Sequence, residues 1–165
     1  MTTYKKTIVG VMGASHINEQ ETQTTQELAR LVAQEGWIVL TGGGQSGVMG
    51  VAMKAAVEAG GETIGMNPGT KRDGCSEYAT IPVFTSSGGG RNYMNIISSD
   101  VVVVPSHVSE GTLTEVAYAL SEHTPLILIS GNREDTEYIK RRGGDLVFTV
   151  DTPEQAIEII KQLVG

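Results

Sequence analysis

Asp100-Val101-Val102-Val103-Val104 decides the fold. Four β-branched residues in succession read as a strand that is apolar on both faces. Such runs belong in parallel sheets covered by helices on both sides. Working outward, strand and helix patterns alternate along the chain. Thr7 to Met12 reads as a buried strand, and Thr24-x-x-Glu27 reads as a capping box opening a helix that runs to about Gln34 and ends at Gly36. Strands follow at Trp37 to Thr41 and Glu62 to Met66, and another at Ile81 to Phe84, where Pro82 cannot donate to a ladder and so marks an edge or a strand start. Helices are expected at Arg91 to Ser98, Thr112 to Glu122 and Glu134 to Arg141, and strands at Leu126 to Ile129 and Leu146 to Val150. Thr152-Pro153-Glu154-Gln155 opens a last helix, with Pro at its first position. The expected architecture is a single α/β domain over residues 1–165. Its doubly wound, mainly parallel sheet has about six to seven strands and helices on both faces, a Rossmann-like arrangement.

Composition sets the outer bounds. The chain has 165 residues, 39% hydrophobic and 19% charged, so it can bury a substantial core. A net charge of −7 disfavours DNA or RNA as a partner. One cysteine, Cys75, excludes an internal disulfide and suits a reducing compartment. The start, Met1-Thr2-Thr3-Tyr4-Lys5-Lys6, is basic but lacks the apolar stretch and cleavage site of a signal peptide, and no run is long enough to span a bilayer. A cytoplasmic protein is expected, without membrane or nucleic-acid contact.

Ligands of doubly wound sheets sit beyond the carboxyl ends of the strands, where the winding reverses. Four loops leave those ends with polar or glycine-rich sequence: Gly13 to Asn18, Gly42 to Gly47, Ser86 to Arg91 and Pro105 to Gly111. In the second loop, Gly42-Gly43-Gly44-Gln45-Ser46-Gly47 stands between a strand and a new helix, an arrangement that favours a phosphate. Candidate ligand contacts are Gly13, Ser15, Gly42, Gly43, Gly44, Ser46, Gly47, Arg91, Ser106, Gly111, Thr112 and Glu115. Arg91 opens a helix, where a cation is disfavoured unless it faces an anion. Thr112-x-x-Glu115 also fits a capping box, which needs no ligand.

Other chemistries are disfavoured. Gly42, Gly44 and Gly47 satisfy G-x-G-x-x-G but follow the second strand, and no acid ends the next one, so NAD is not expected. No Lys-Ser or Lys-Thr completes a Walker loop. His16, His107 and His123 are isolated, without the spacing of a protein-ligated metal site. Read alone, the residues define a binder of a small phosphorylated ligand with one arginine and one glutamate nearby.

Three motifs carry a family resemblance. Thr41-Gly-Gly-Gly-Gln-Ser-Gly-Val-Met-Gly50, Gly90-Arg91-Asn92 and Gly111-Thr112-Leu113-Thr114-Glu115 together resemble the lysine decarboxylase-like superfamily. It includes the Lonely Guy phosphoribohydrolases, the short molybdenum cofactor carriers and a Rossmann domain of DNA-processing A proteins. The hydrolases carry Pro-Gly-Gly-x-Gly-Thr-x-x-Glu, whereas this chain has Pro105-Ser-His-Val-Ser-Glu-Gly-Thr112, a longer loop without the paired glycines. Asn92 replaces the hydrolases' lysine after the arginine, and Gly88 their methionine. The Arg91-Asn92 pair and the short length resemble the carrier branch. That resemblance implies molybdenum cofactor as cargo, Asn92 as a further contact, a molybdenum enzyme as recipient and a homo-oligomer, dimer or tetramer. The alternatives are a nucleoside 5'-monophosphate phosphoribohydrolase using Arg91 and Glu115, or a mononucleotide-sensing or nucleic-acid-processing module.

Overall fold

The structure, a computed structural model, describes residues 5–129, 131 and 133–165; the first four residues of the basic start lie outside it. Seven strands run in chain order: β1 (Ile8–Val11), β2 (Ile38–Thr41), β3 (Thr63–Asn67), β4 (Ile81–Phe84), β5 (Val101–Val104), β6 (Leu126–Ile129) and β7 (Val147–Val150). Between and after them come α1 (Glu19–Gln34), α2 (Gly47–Glu58), α3 (Arg91–Ile97), α4 (Glu110–Ser121), α5 (Arg133–Gly143) and α6 (Pro153–Val164). Every strand pairing is parallel, in the order β4-β3-β2-β1-β5-β6-β7. The winding reverses between β1 and β5.

β5 shows why this sequence folds this way. Val101 and Val103 pack into a core beneath α1, α2 and α6, while Val102 and Val104 pack into a second core beneath α3, α4 and α5. All four are essentially inaccessible, and each buried valine contributes about 1.5–3 kcal/mol. A run of four valines is therefore the sequence of a central strand with helices on both sides. Pro82 lies on β4, the edge strand, as a residue without a backbone donor requires.

Two helix starts differ from the sequence expectation. α1 begins at Glu19, capped by Asn18, whose side chain accepts from the Glu21 amide while Glu21 reaches back to the Asn18 amide. Thr24 lies inside the helix and bonds the Gln20 carbonyl at 2.9 Å. α4 begins at Glu110 with Ser109 as its cap, so Thr112 is the third helical residue and Thr112-x-x-Glu115 is not a capping box. Both differences alter what the side chains near the switch point can do.

Candidate functional site

A cleft of about 270 Å³ opens at the carboxyl ends of the strands, where β1 and β5 lie side by side. The loop after β1 lines it with Gly13 and Ser15, the loop after β2 with Gly42, and the first turn of α2 with Met49. α3 contributes Arg91 and Asn92; Ser109, Glu110, Gly111, Thr112 and Glu115 come from the start of α4. The four loops singled out in the sequence therefore meet at one rim. A larger groove of about 710 Å³ lies between α1 and α2, but it is built from the flanks of those helices and takes nothing from the strand ends.

The candidates play unequal parts. Gly43, Gly44, Ser46, Gly47 and Ser106 are not part of the lining, and Ser46 is exposed. Ser106 is buried; its hydroxyl accepts from the Ala14 amide at 3.2 Å and donates to the His107 carbonyl. Gly47 has φ +58°, and a Cβ there would run into the Ala14 carbonyl, so the loops after β1 and β2 touch only because this residue is glycine. The Val48 amide donates to Ala14 at 3.0 Å. Gly42 lets the Arg91 guanidinium lie directly against the backbone.

Arg91 is the first residue of α3, after a 3₁₀ turn over Gly88–Gly90. Its Nη1 donates to the carbonyl oxygens of Gly42 and, at 3.1 Å, Met66, and its Nε donates to the Asn92 side chain at 3.1 Å. These bonds fix the cation across the ends of β2 and β3. Burial lowers its pKa, opposed by the charge of Glu115. Asn92 in turn donates to the Thr114 hydroxyl, tying α3 to α4.

Glu115 sits at the floor, 8% exposed. Asn95 Nδ2, one turn along α3 from Arg91, donates to its Oε1 at 2.9 Å. No arginine or lysine pairs with Glu115 within 4 Å among the described residues. Burial pushes its pKa up to about 7, against the Asn95 hydrogen bond and the Arg91 charge. The cleft thus combines a cation with a carboxyl group that is about half neutral near pH 7.

The first turn of α4 supplies the helix end. Ser109 accepts from the Thr112 amide, leaving the amides of Glu110 and Gly111 ahead of it at the rim. An oxyanion there would meet backbone donors and the positive end of the helix dipole.

Sequence reasoning missed Glu21, Asn95 and Glu110. Glu21 accepts from the His107 amide and ring Nδ1, each at 2.8 Å, and from the Asn18 amide at 3.0 Å. It pins the Pro105 loop to the start of α1. Burial raises the Glu21 pKa, but the bonds from His107 and Asn18 outweigh it and the net shift is downward. The spacing of Arg91 and Asn95, four apart on one helix face, was a usable signal for Asn95. Asn18-x-x-Glu21 marks Glu21 locally as a capping residue, but nothing local marks its contact with His107, 86 residues away. Among the described residues, no cluster of three or more His, Cys, Asp or Glu could hold a metal, and no helix is long and apolar enough to cross a membrane.

Fold and cleft together define a Rossmann-like α/β protein with a polar cleft at its switch point, lined by Arg91, Glu115 and the first turn of α4. The chain belongs to the SLOG cluster4 family, whose model matches residues 6–157. This agrees with the superfamily expected from the three motifs. The molybdenum cofactor binding protein of Rippkaea orientalis superposes with a TM-score of 0.94 at 35% identity, covering 99% of this chain and all of that one. The molybdenum cofactor carrier protein of Chlamydomonas reinhardtii gives 0.91 at 38% identity, over 97% and 99% of the two chains. A protein of Archaeoglobus fulgidus is 32% identical over 155 residues, 90% of this chain and 91% of its own length.

Proposed function

We propose that the protein binds and protects molybdenum cofactor as a carrier. The observation that supports this best is the union of Arg91, the first turn of α4 and the floor carboxyl Glu115 in one cleft, in a chain that superposes on carriers over nearly its whole length. Capture of a terminal phosphate needs fixed donors and a cation, and the cleft supplies both. Its volume of about 270 Å³ is just below the usual range for small-ligand pockets. The cleft therefore takes the phosphate end while the pterin lies across the rim formed by Gly13, Ser15 and Gly42. The Glu110 side chain lines the same cleft, and its charge works against that of Arg91 and the α4 amides.

The same reading places the protein in the cytoplasm as a homo-oligomer that passes its cargo to a molybdenum enzyme. Protection is the testable property. Isolated cofactor mixed with one equivalent of protein should outlast free cofactor in air several-fold; equal lifetimes would refute the carrier reading.

The pairing of Arg91 with Glu115 keeps one alternative in play, hydrolysis of nucleoside 5'-monophosphates. That reaction develops positive charge on a sugar, and an ionised carboxylate must face it. Glu115 has a pKa of about 7 and only one fixed donor, which suits holding an anion better than stabilising a cation. Chromatography after incubation with adenosine monophosphate should show no free base beyond the blank.

A further inference from the structure

Asn95 is completely buried, and its side-chain oxygen has no hydrogen-bond partner. A bare buried acceptor costs about 1–3 kcal/mol, yet the amide is held with its nitrogen on Glu115 and its oxygen facing nothing. This orientation fixes the chemistry of the carboxyl group. Oε1 already accepts from Asn95, so a proton on Glu115 belongs on Oε2. Oε2 has no protein partner among the described residues, and Glu115 lines the cleft. A neutral Glu115 therefore has a donor free for whatever occupies the cleft.

We propose that capture of an anion in this cleft is coupled to uptake of one proton by Glu115, whose Oε2 then donates to the bound oxyanion. The inference rests on the reading of the cleft as an anion site and adds the means by which a floor carboxyl tolerates negative cargo. The surrounding groups permit it. On α3, Arg91 is the only charge and its Nη1 is engaged by two carbonyl oxygens, while Asn95 is neutral. On its own helix α4, Glu110 adds negative charge at the rim. The loop after β1 offers Gly13 and Ser15, that after β2 Gly42, and α2 only Met49. Beyond the lining, His107 is bound to Glu21. The free carboxyl titrates near pH 7, so a bound dianion close by shifts it further towards the neutral form. Below pH 7 the proton is already present and binding takes up little; above it, binding must bring the proton in, and affinity falls as pH rises.

Sulfate tests this cleanly because its charge is constant across the neutral range, unlike that of phosphate. Calorimetric titration near pH 8 in buffers of different ionisation enthalpy should show close to one proton taken up per sulfate bound. Affinity should fall about tenfold for each pH unit above 7. Glu115→Gln keeps a donor at the same place and should bind sulfate without proton uptake or pH dependence. If that variant does not fold, carboxyl-carbon NMR of the wild type gives the answer, with Glu115 staying neutral up to about pH 8 when sulfate is bound. No sulfate binding by the wild type, no uptake, uptake that persists in Glu115→Gln, or a Glu115 ionised in the sulfate complex at neutral pH would each overturn the proposal. The carrier reading fails separately: loss of cofactor binding with sulfate-linked uptake intact would remove the cargo and leave the proton coupling standing.

Discussion

Arg91 and Gly42 are joined across 49 residues of sequence, the guanidinium Nη1 donating to the glycine carbonyl. The same nitrogen reaches Met66, so the cation that opens α3 is anchored to the ends of two neighbouring strands. Such an anchor fixes positive charge at the rim without leaving it free to swing into solvent.

Removing that cation should weaken cargo binding, and it also removes the bonds from Arg91 to Gly42 and Met66 that help hold the fold. A charge-assisted hydrogen bond is worth about 1.5–3 kcal/mol, so Arg91→Ala should raise the cofactor dissociation constant roughly ten- to a hundredfold. Arg91→Lys should fall in between, because one ammonium nitrogen can take over the Nη1 bonds to the two carbonyls but not also the separate Nε bond to Asn92 and the planar face a guanidinium offers an anion. Fluorescence titration of the two variants beside the wild type measures the order.

Glu115 predicts a dependence of stability on pH. Its folded pKa of about 7 lies above the ordinary 4.5, so the native state binds more protons between those values. Stability is therefore lost as pH rises through that interval, by roughly 3 kcal/mol at full ionisation. Glu115→Gln should melt roughly 4–12 °C higher than the wild type above pH ~7.5, with the difference vanishing below pH ~4.5. Thermal scans across that range report it directly.

Glu21 should control the order of the Pro105 loop. It holds the His107 amide and ring together with the Asn18 amide, and its lowered pKa means that this support is present above pH ~4.5 and fades as acid protonates it. Glu21→Ala should speed hydrogen exchange at the His107 amide and weaken cargo binding several-fold. The protein should stay folded, at a cost of about 1–3 kcal/mol. Exchange measured by mass spectrometry on peptides spanning 105–112 gives the result.

Gly47 tests the contact between the loops after β1 and β2. With φ +58° and the Ala14 carbonyl in the way of a Cβ, Gly47→Ala combines backbone strain of roughly 1–2 kcal/mol with a backbone clash. A loss of several degrees in melting temperature is expected, accompanied by weaker cargo binding. Gly69→Ala should be close to neutral, because a Cβ there meets nothing.

These residues also show how far the sequence could be read. Val101–Val104 placed a strand buried on both sides and Pro82 limited its strand to an edge or a strand start, because each follows from the chemistry of one short segment. Arg91, Gly42, Thr112 and Glu115 could be assembled because the carboxyl ends of parallel strands share one rim. The helix starts could not be fixed locally. Asn18-x-x-Glu21 and Thr24-x-x-Glu27 both fit a capping box, and the choice follows the far contact of Glu21 with His107. At α4, Glu115 could have capped a helix begun at Thr112, but the Asn95 amide holds it in the core and Ser109 takes the cap. Each ambiguity was settled by a partner distant in the chain.

Equilibrium titration of isolated molybdenum cofactor into ligand-free protein tests the central claim most directly. The carrier reading predicts saturable binding approaching one cofactor per chain, competed by sulfate and weakened by Arg91→Ala. No detectable binding at micromolar protein, or binding indifferent to both sulfate and Arg91, would contradict it.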